Sequence, residues 1–199
     1  MIEVEKKFLL RDDDIARLTR DARFVREEVL CDVYYDTPDF RVTRADMWLR
    51  ERNARWELKV SLNKDPNRLG DNFRELETED EIRGVLGLSQ EGTFREDLER
   101  RGYGTFCTCI TTRRKYKKGD FTIDLDSAEF DGLSYRIAEI ELMVETPDEM
   151  EAAFDRIRRL ALTEGLAVEH VQGKIAAYLK HKKPGHYEAL VSAGVFREM

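Results

Sequence analysis

The chain is poor in the residues that most often announce chemistry. Its 199 residues include three cysteines and three histidines. Cys31, Cys107 and Cys109 are odd in number in a long chain, which argues against a disulfide framework. Cys107-Thr108-Cys109 lacks a second ligand pair, which argues against zinc, and the thiols read as buried and reduced. His170, His181 and His186 come late and lack His-x-x-x-His spacing, so a histidine metal site is not expected. No apolar run approaches the roughly 20 residues of a membrane helix. An acidic, strand-like segment from residue 2 onward argues against a signal peptide. Gly-x-Ser-x-Gly elbows and glycine-rich phosphate loops are absent. Proline, glycine and serine never gather into a linker, and no repeat or low-complexity segment occurs. One domain spanning residues 1–199 is therefore expected, in the cytoplasm. No apolar stripe stands out on the surface, which favours a monomer.

Charge is what the chain has in quantity. Charged residues make up 38% of it and hydrophobic residues 41%, with a net charge of −7. Such an acidic chain is a poor nonspecific nucleic-acid binder, although a local basic pocket remains compatible with it. The charges are also ordered. In Glu3-Val4-Glu5-Lys6-Lys7-Phe8, Glu3, Glu5 and Lys7 are two apart, so in a strand they share one face. The spacing recurs in Arg50/Arg52, Glu57/Lys59, Glu75/Glu77, Asp124/Asp126 and Glu139/Glu141.

Residues 2–9, 31–36, 46–52, 55–62, 72–78, 105–118, 120–127 and 136–145 read as strands. Asn53-Ala54 marks a hairpin, and Lys118-Gly119-Asp120 a second turn. Residues 12–22, 79–101 (two short helices broken near Gly87), 147–163 and 174–181 read as helices, followed by a short terminal helix. Residues 63–71 read as a polar loop. The set predicts an α+β fold with about eight antiparallel strands.

An alternating strand ordinarily turns its charges to water. Three features favour the opposite here. Trp48 shares parity with Arg50 and Arg52, while Met47 and Leu49 take the other face; tryptophan is unusual on a solvated charged face. Acid pairs and base pairs sit on different strands, so one cavity could hold both. The amphipathic segments could cover the apolar outside of a barrel whose charges point inward.

Clustered carboxylates (Glu3, Glu5, Asp124, Asp126, Glu139 and Glu141) suit a hard cation such as Mg²⁺, with Mn²⁺ as a substitute. Lys7, Arg50, Arg52, Lys59, Arg113 or Arg114, and Lys174 suit phosphate oxygens. Together they point to a small polyanion bound with a divalent metal. The run Arg113-Arg114-Lys115-Tyr116-Lys117-Lys118 reads as a solvated strand end with one arginine turned inward.

The ordered set Glu-x-Glu-x-Lys, Arg-x-Arg, Glu-x-Lys, Asp-x-Asp and Glu-x-Glu resembles the CYTH superfamily, the triphosphate tunnel metalloenzymes. Tyr34-Tyr35-Asp36-Thr37-Pro38, residues 45–52, Trp56-Glu57-Leu58-Lys59, residues 124–130 and residues 174–179 extend the likeness, which is nearest to its thiamine-triphosphatase branch. The resemblance implies a closed eight-stranded antiparallel barrel, with helices packed outside, that encloses a tunnel. It implies metal binding by Glu3, Glu5, Asp126, Glu139 and Glu141, and catalytic roles for Glu3, Glu5 and Lys59. Lys7, Arg50, Arg52, Lys59, Arg114 and Lys174 would hold the triphosphate, and Trp48 with Tyr34 would pack on the thiamine. The implied reaction is metal-dependent hydrolysis of thiamine triphosphate. Alternatives are an inorganic or nucleoside triphosphatase of the same fold, an adenylate cyclase, or a non-catalytic polyphosphate binder.

Overall fold

The computed structural model describes residues 1–62 and 71–197. Eight strands run in chain order: β1 (Ile2–Leu9), β2 (Arg23–Asp36), β3 (Met47–Arg52), β4 (Arg55–Ser61), β5 (Asp71–Leu76), β6 (Gly104–Lys118), β7 (Phe121–Phe130) and β8 (Leu133–Val144). They close into an antiparallel barrel in the order β1-β5-β4-β3-β2-β6-β7-β8. The helices are α1 (Asp12–Thr19), α2 (Glu79–Leu86), α3 (Phe94–Arg100), α4 (Met150–Thr163), α5 (Lys174–Lys182) and α6 (Pro184–Ser192).

The two-residue period of the strands separates two environments. Val4 and Phe8 of β1, Ile123 and Leu125 of β7, and Ala138, Ile140 and Leu142 of β8 face outward into a core completed by Ile157 of α4 and Leu18 of α1. Leu49, Leu58 and Leu76 of β3–β5 face Ile82 of α2 and Leu98 of α3. Full burial of one such side chain contributes about 1.5–3 kcal/mol, so the helices stabilise the barrel from outside. The opposite parity carries the charges. At one end Tyr34, Cys107, Cys109, Ala128 and Phe130 pack with Ile175 and Leu179 of α5 and Leu190 of α6.

The β3–β4 hairpin turns at Asn53 and Ala54, both with positive φ (47° and 63°), as a two-residue turn matched to strand twist requires. Asn53 also ties this hairpin to β2: its Oδ1 accepts from the Cys31 N–H at 2.9 Å. Thr78 caps α2 by accepting from the Glu81 N–H.

Several expected boundaries move; β7 runs on to Phe130 rather than 127, and β8 starts at Leu133 rather than 136. β2 starts at Arg23 rather than at 31; its first half lies along β6 with polar residues on both faces, so no alternation marks it. α1 stops at Thr19 rather than 22, because Asp21 takes a left-handed backbone (φ 59°) that leads into β2. Asp71 belongs to β5 and not to the expected loop, the rest of which lies outside the described residues. Among the described residues no helix is long and apolar enough to cross a membrane.

Candidate active site

The barrel encloses a cavity of about 630 Å³ lined by the inward-facing side chains. Cross-strand register sets acid beside base around its wall. Lys7 lies opposite Glu139, Lys59 opposite Glu75, Arg50 opposite Glu57, Arg52 opposite Asp32 and Arg113 opposite Asp126. Direct opposition on one face brings side chains within reach of each other.

These bases are engaged. Lys59 Nζ donates to Glu3 Oε1 at 3.0 Å and lies 3.0 Å from Glu75 and 3.8 Å from Glu5. Lys7 Nζ donates to Asp71 at 2.8 Å and to Glu5. Arg52 grips Asp32 with two hydrogen bonds, at 2.6 and 2.8 Å. Arg50 Nε donates to Glu57 at 2.7 Å. Arg113 makes four hydrogen bonds to three carboxylates: two to Asp126 at 2.6 Å, one to Asp124 at 2.6 Å and one to Glu139 at 2.8 Å. Lys174 opens α5, where a cation opposes the helix dipole. Its ammonium reaches into the barrel, 3.1 Å from Thr111 Oγ1 and 3.5 Å from Asp126. Gly173, just before it, leaves room for Lys7, since a Cβ there would sit 3.3 Å from Lys7 Cε.

Among the described residues two carboxylate groups converge: Glu3, Glu5 and Glu141, and Asp124, Glu139 and Glu141, each with ligand atoms within 4.8 Å of one another. Glu141 belongs to both. Burial and the charges of Asp124 and Glu139 push its carboxyl up to about 8, against Arg113 and Lys115. Glu3 is likewise raised, by burial first and then by Glu5 and Glu141, with Lys59 opposing. Asp124 is raised by burial despite Arg113 and Lys115, and its Oδ1 is buried with no hydrogen-bond partner. An all-oxygen donor set, crowded enough to suppress its own ionisation and holding an orphaned carboxylate oxygen, fits a hard divalent cation.

At the aromatic part of the wall, Trp48 Nε1 donates to Asp46 at 3.1 Å. Tyr34 is buried, and burial together with the nearby Asp32 raises its phenol well above the usual range, so it stays protonated.

A model of the CYTH domain matches residues 1–173. The chain belongs to the CYTH family. It is 30% identical to human thiamine-triphosphatase over all of this chain and 93% of that one. It is 29% identical to the thiamine-triphosphatase of Macaca fascicularis, over 96% of this chain and 90% of that one. These relatives make the CYTH protein a thiamine-triphosphatase-like phosphohydrolase. Its fold is also that of a Pyrococcus horikoshii protein (TM-score 0.67, 24% identity, 90% of this chain and 99% of that one). A Hippeastrum protein described as a putative adenylyl cyclase with a dominant triphosphatase activity shares the fold at TM-score 0.57 and 13% identity, over 90% and 94% of the chains.

Within this CYTH tunnel the structure brings together Glu3, Glu5, Lys7, Tyr34, Trp48, Arg50, Arg52, Lys59, Glu139, Glu141 and Lys174. Two expectations are corrected. The tunnel arginine of β6 is Arg113, not Arg114. Arg114 has the other parity, lies opposite Leu125 and lines a small outer groove with Leu10 and Ile15. Asp126, expected as a metal ligand, gives both oxygens to Arg113 and stands in neither carboxylate group, whereas Asp124 stands in one of them. The sequence reading also omitted Asp32, Asp71, Lys115, Gln172 and Phe196. Asp32 was within reach, because it shares parity with Tyr34.

Proposed function

We propose that this CYTH protein hydrolyses thiamine triphosphate to thiamine diphosphate and phosphate in a metal-dependent reaction. The observation that carries the proposal is the convergence, in one cavity, of the phosphate-type bases, two carboxylate groups that share Glu141, and Trp48. The similarity to mammalian thiamine-triphosphatases supports the choice of substrate.

The triphosphate oxygens would take the places now held by carboxylates on Lys7, Lys59, Arg50, Arg52, Arg113 and Lys174. Charge-assisted hydrogen bonds from these fixed donors favour the charge distribution of phosphoryl transfer. A water oxygen attacks the terminal phosphorus while the bond to the bridging oxygen breaks, and thiamine diphosphate leaves with that oxygen. A tunnel carboxylate, Glu3 or Glu5, takes the proton of the attacking water. Lys59, between Glu3, Glu5 and Glu75, orients these carboxylates and neutralises charge beside the reacting phosphoryl group. Mg²⁺ or Mn²⁺ held by Glu3, Glu5 and Glu141, or by Asp124, Glu139 and Glu141, would supply further positive charge for the phosphoryl oxygens. Trp48 offers its ring to the cationic thiazolium.

A phosphate-release panel tests this: thiamine triphosphate, tripolyphosphate, ATP and GTP, each with Mg²⁺, Mn²⁺ and EDTA. The expected result is the highest kcat/KM for thiamine triphosphate and no release in EDTA. A higher kcat/KM for tripolyphosphate or a nucleotide would refute the substrate, and turnover in EDTA would refute the metal dependence.

A further inference from the structure

The C-terminal tail adds a wall that the charged strands do not provide. α6 ends in a Schellman-type turn. Gly194 takes φ 74° and donates its N–H to Val191 O at 2.9 Å, and the Val195 N–H donates to Leu190 O at 2.9 Å. A left-handed residue is needed to turn the chain there, and glycine adopts it without steric cost. The reversal brings Val195, Phe196 and Arg197 to the tunnel cavity. Phe196 stacks on Trp48, with ring centroids 5.8 Å apart and planes 21° from parallel.

The tail is tied to the phosphate-binding end through a short relay. The Tyr187 ring packs 5.5 Å from Phe196. Tyr187 Oη donates to the Arg197 carbonyl at 3.3 Å and accepts from Gln172 Nε2 at 2.7 Å. The Gln172 carbonyl accepts from Tyr135 Oη at 2.7 Å. Gln172 precedes Gly173, against which Lys7 packs, and Lys174 follows. Contacts therefore run without a break from the lysines to the aromatic pair.

We propose that Phe196 and Trp48 form one aromatic seat for the ring end of the substrate, so that the tail sets the preference for ring-bearing triphosphates over bare triphosphate. The proposal rests on the triphosphatase reading of the tunnel. Phe196 holds the indole, already fixed by Asp46, and enlarges the apolar surface beside it. A thiazolium or nucleobase ring gains stacking there, whereas inorganic triphosphate, which is all charge, gains none.

The test uses full-length Phe196→Ala, Phe196→Leu and Phe196→Tyr, with circular dichroism melts to confirm folding. Two quantities are measured: kcat/KM for thiamine triphosphate relative to tripolyphosphate, and the dissociation constants of thiamine triphosphate, ATP and tripolyphosphate in EDTA, from tryptophan fluorescence. Phe196→Ala should lower the kcat/KM ratio about five- to tenfold. Phe196→Leu should recover only part of that loss and Phe196→Tyr most of it. Combined with Trp48→Ala, the losses should fall short of multiplying, because the rings act as one unit. An unchanged or raised ratio in Phe196→Ala, equal losses on both substrates, or full activity in Phe196→Leu would overturn the proposal. If the wild type releases no phosphate from thiamine triphosphate, the substrate reading fails by itself. The binding constants then decide the seat: weaker ATP binding with unchanged tripolyphosphate binding in Phe196→Ala supports it, and parallel changes reject it.

Discussion

Replacing Arg113 with alanine removes one guanidinium that serves Asp124, Asp126 and Glu139 at 2.6–2.8 Å. Those carboxylates stay buried, and Lys115 and Lys174 are the remaining bases beside Asp124 and Asp126. Breaking a buried pair from one side costs about 3–5 kcal/mol, because the surviving charge keeps its desolvation penalty. For a chain of this size, 1 kcal/mol corresponds to about 2–4 °C in Tm, so a fall of about 6–20 °C is expected. Arg114, one residue along and on the outer face, is the internal control. Arg114→Ala should change stability by no more than about 0.5 kcal/mol and leave phosphate release intact. The assay is a thermal melt of both variants with EDTA and with Mg²⁺, followed by phosphate release from thiamine triphosphate at a temperature where both are folded. Mg²⁺ should return part of the Arg113→Ala loss, since a cation can serve the carboxylates the arginine leaves behind. Equal losses in the two variants, or the larger loss in Arg114→Ala, would refute the assigned facing of β6.

Glu141→Gln removes the carboxylate shared by both groups; Mg²⁺ should then no longer raise Tm, and metal-dependent phosphate release should be lost. A retained Mg²⁺-induced rise in Tm would place the metal elsewhere. Trp48→Ala should raise KM for thiamine triphosphate about 5–30-fold, the equivalent of about 1–2 kcal/mol of stacking on a cation, with a much smaller change for tripolyphosphate; steady-state kinetics with equal shifts for both substrates would remove the thiamine assignment. Asp32 has an acid-limb signature. Burial raises its pKa, but hydrogen bonds from Arg52 and the charges of Arg50, Arg52 and Lys174 outweigh burial and hold it at about 2, below the ordinary 3.8. A depressed carboxyl stabilises the fold above the unfolded pKa and loses that contribution as pH falls through the folded one, here about 2 kcal/mol between pH 4 and pH 2. Urea titrations should show the stability gap between wild type and Asp32→Asn narrowing over that window, and a constant gap would contradict the reading.

The barrel was legible because a strand cannot avoid its two-residue period. Once Glu3, Glu5 and Lys7 share a face, Val4 and Phe8 must share the other, and the apolar face needs the helices that follow. Trp48 beside Arg50 and Arg52 showed which face is the inside. Strand β6 hid its facing because Arg113, Arg114 and Lys115 put bases on both parities, so composition cannot choose between them. What chooses is register, which sets Arg113 across from Asp126. Asp126 then looks like a ligand in sequence but is claimed by that arginine in space. The first half of β2 gave no signal because polar residues stand on both its faces, and Phe24 and Val29 remain about half exposed. Phe196 was out of reach for another reason: its contact with Trp48 joins residues far apart in the chain and depends on a reversal at Gly194.

The acid–base pairing of the tunnel has a consequence for how ligands are chosen. The tunnel carboxylates act as built-in counter-ions for Lys7, Lys59, Arg50, Arg52 and Arg113. A guest therefore binds by exchange: it must outcompete the resident carboxylates, and those it displaces need a new partner. A triphosphate arriving with a divalent ion satisfies both halves of the swap, since the phosphates take the bases and the ion takes the freed acids. A diphosphate or a bare phosphate can engage fewer of the bases, so the same exchange holds a shorter phosphate less tightly than a triphosphate.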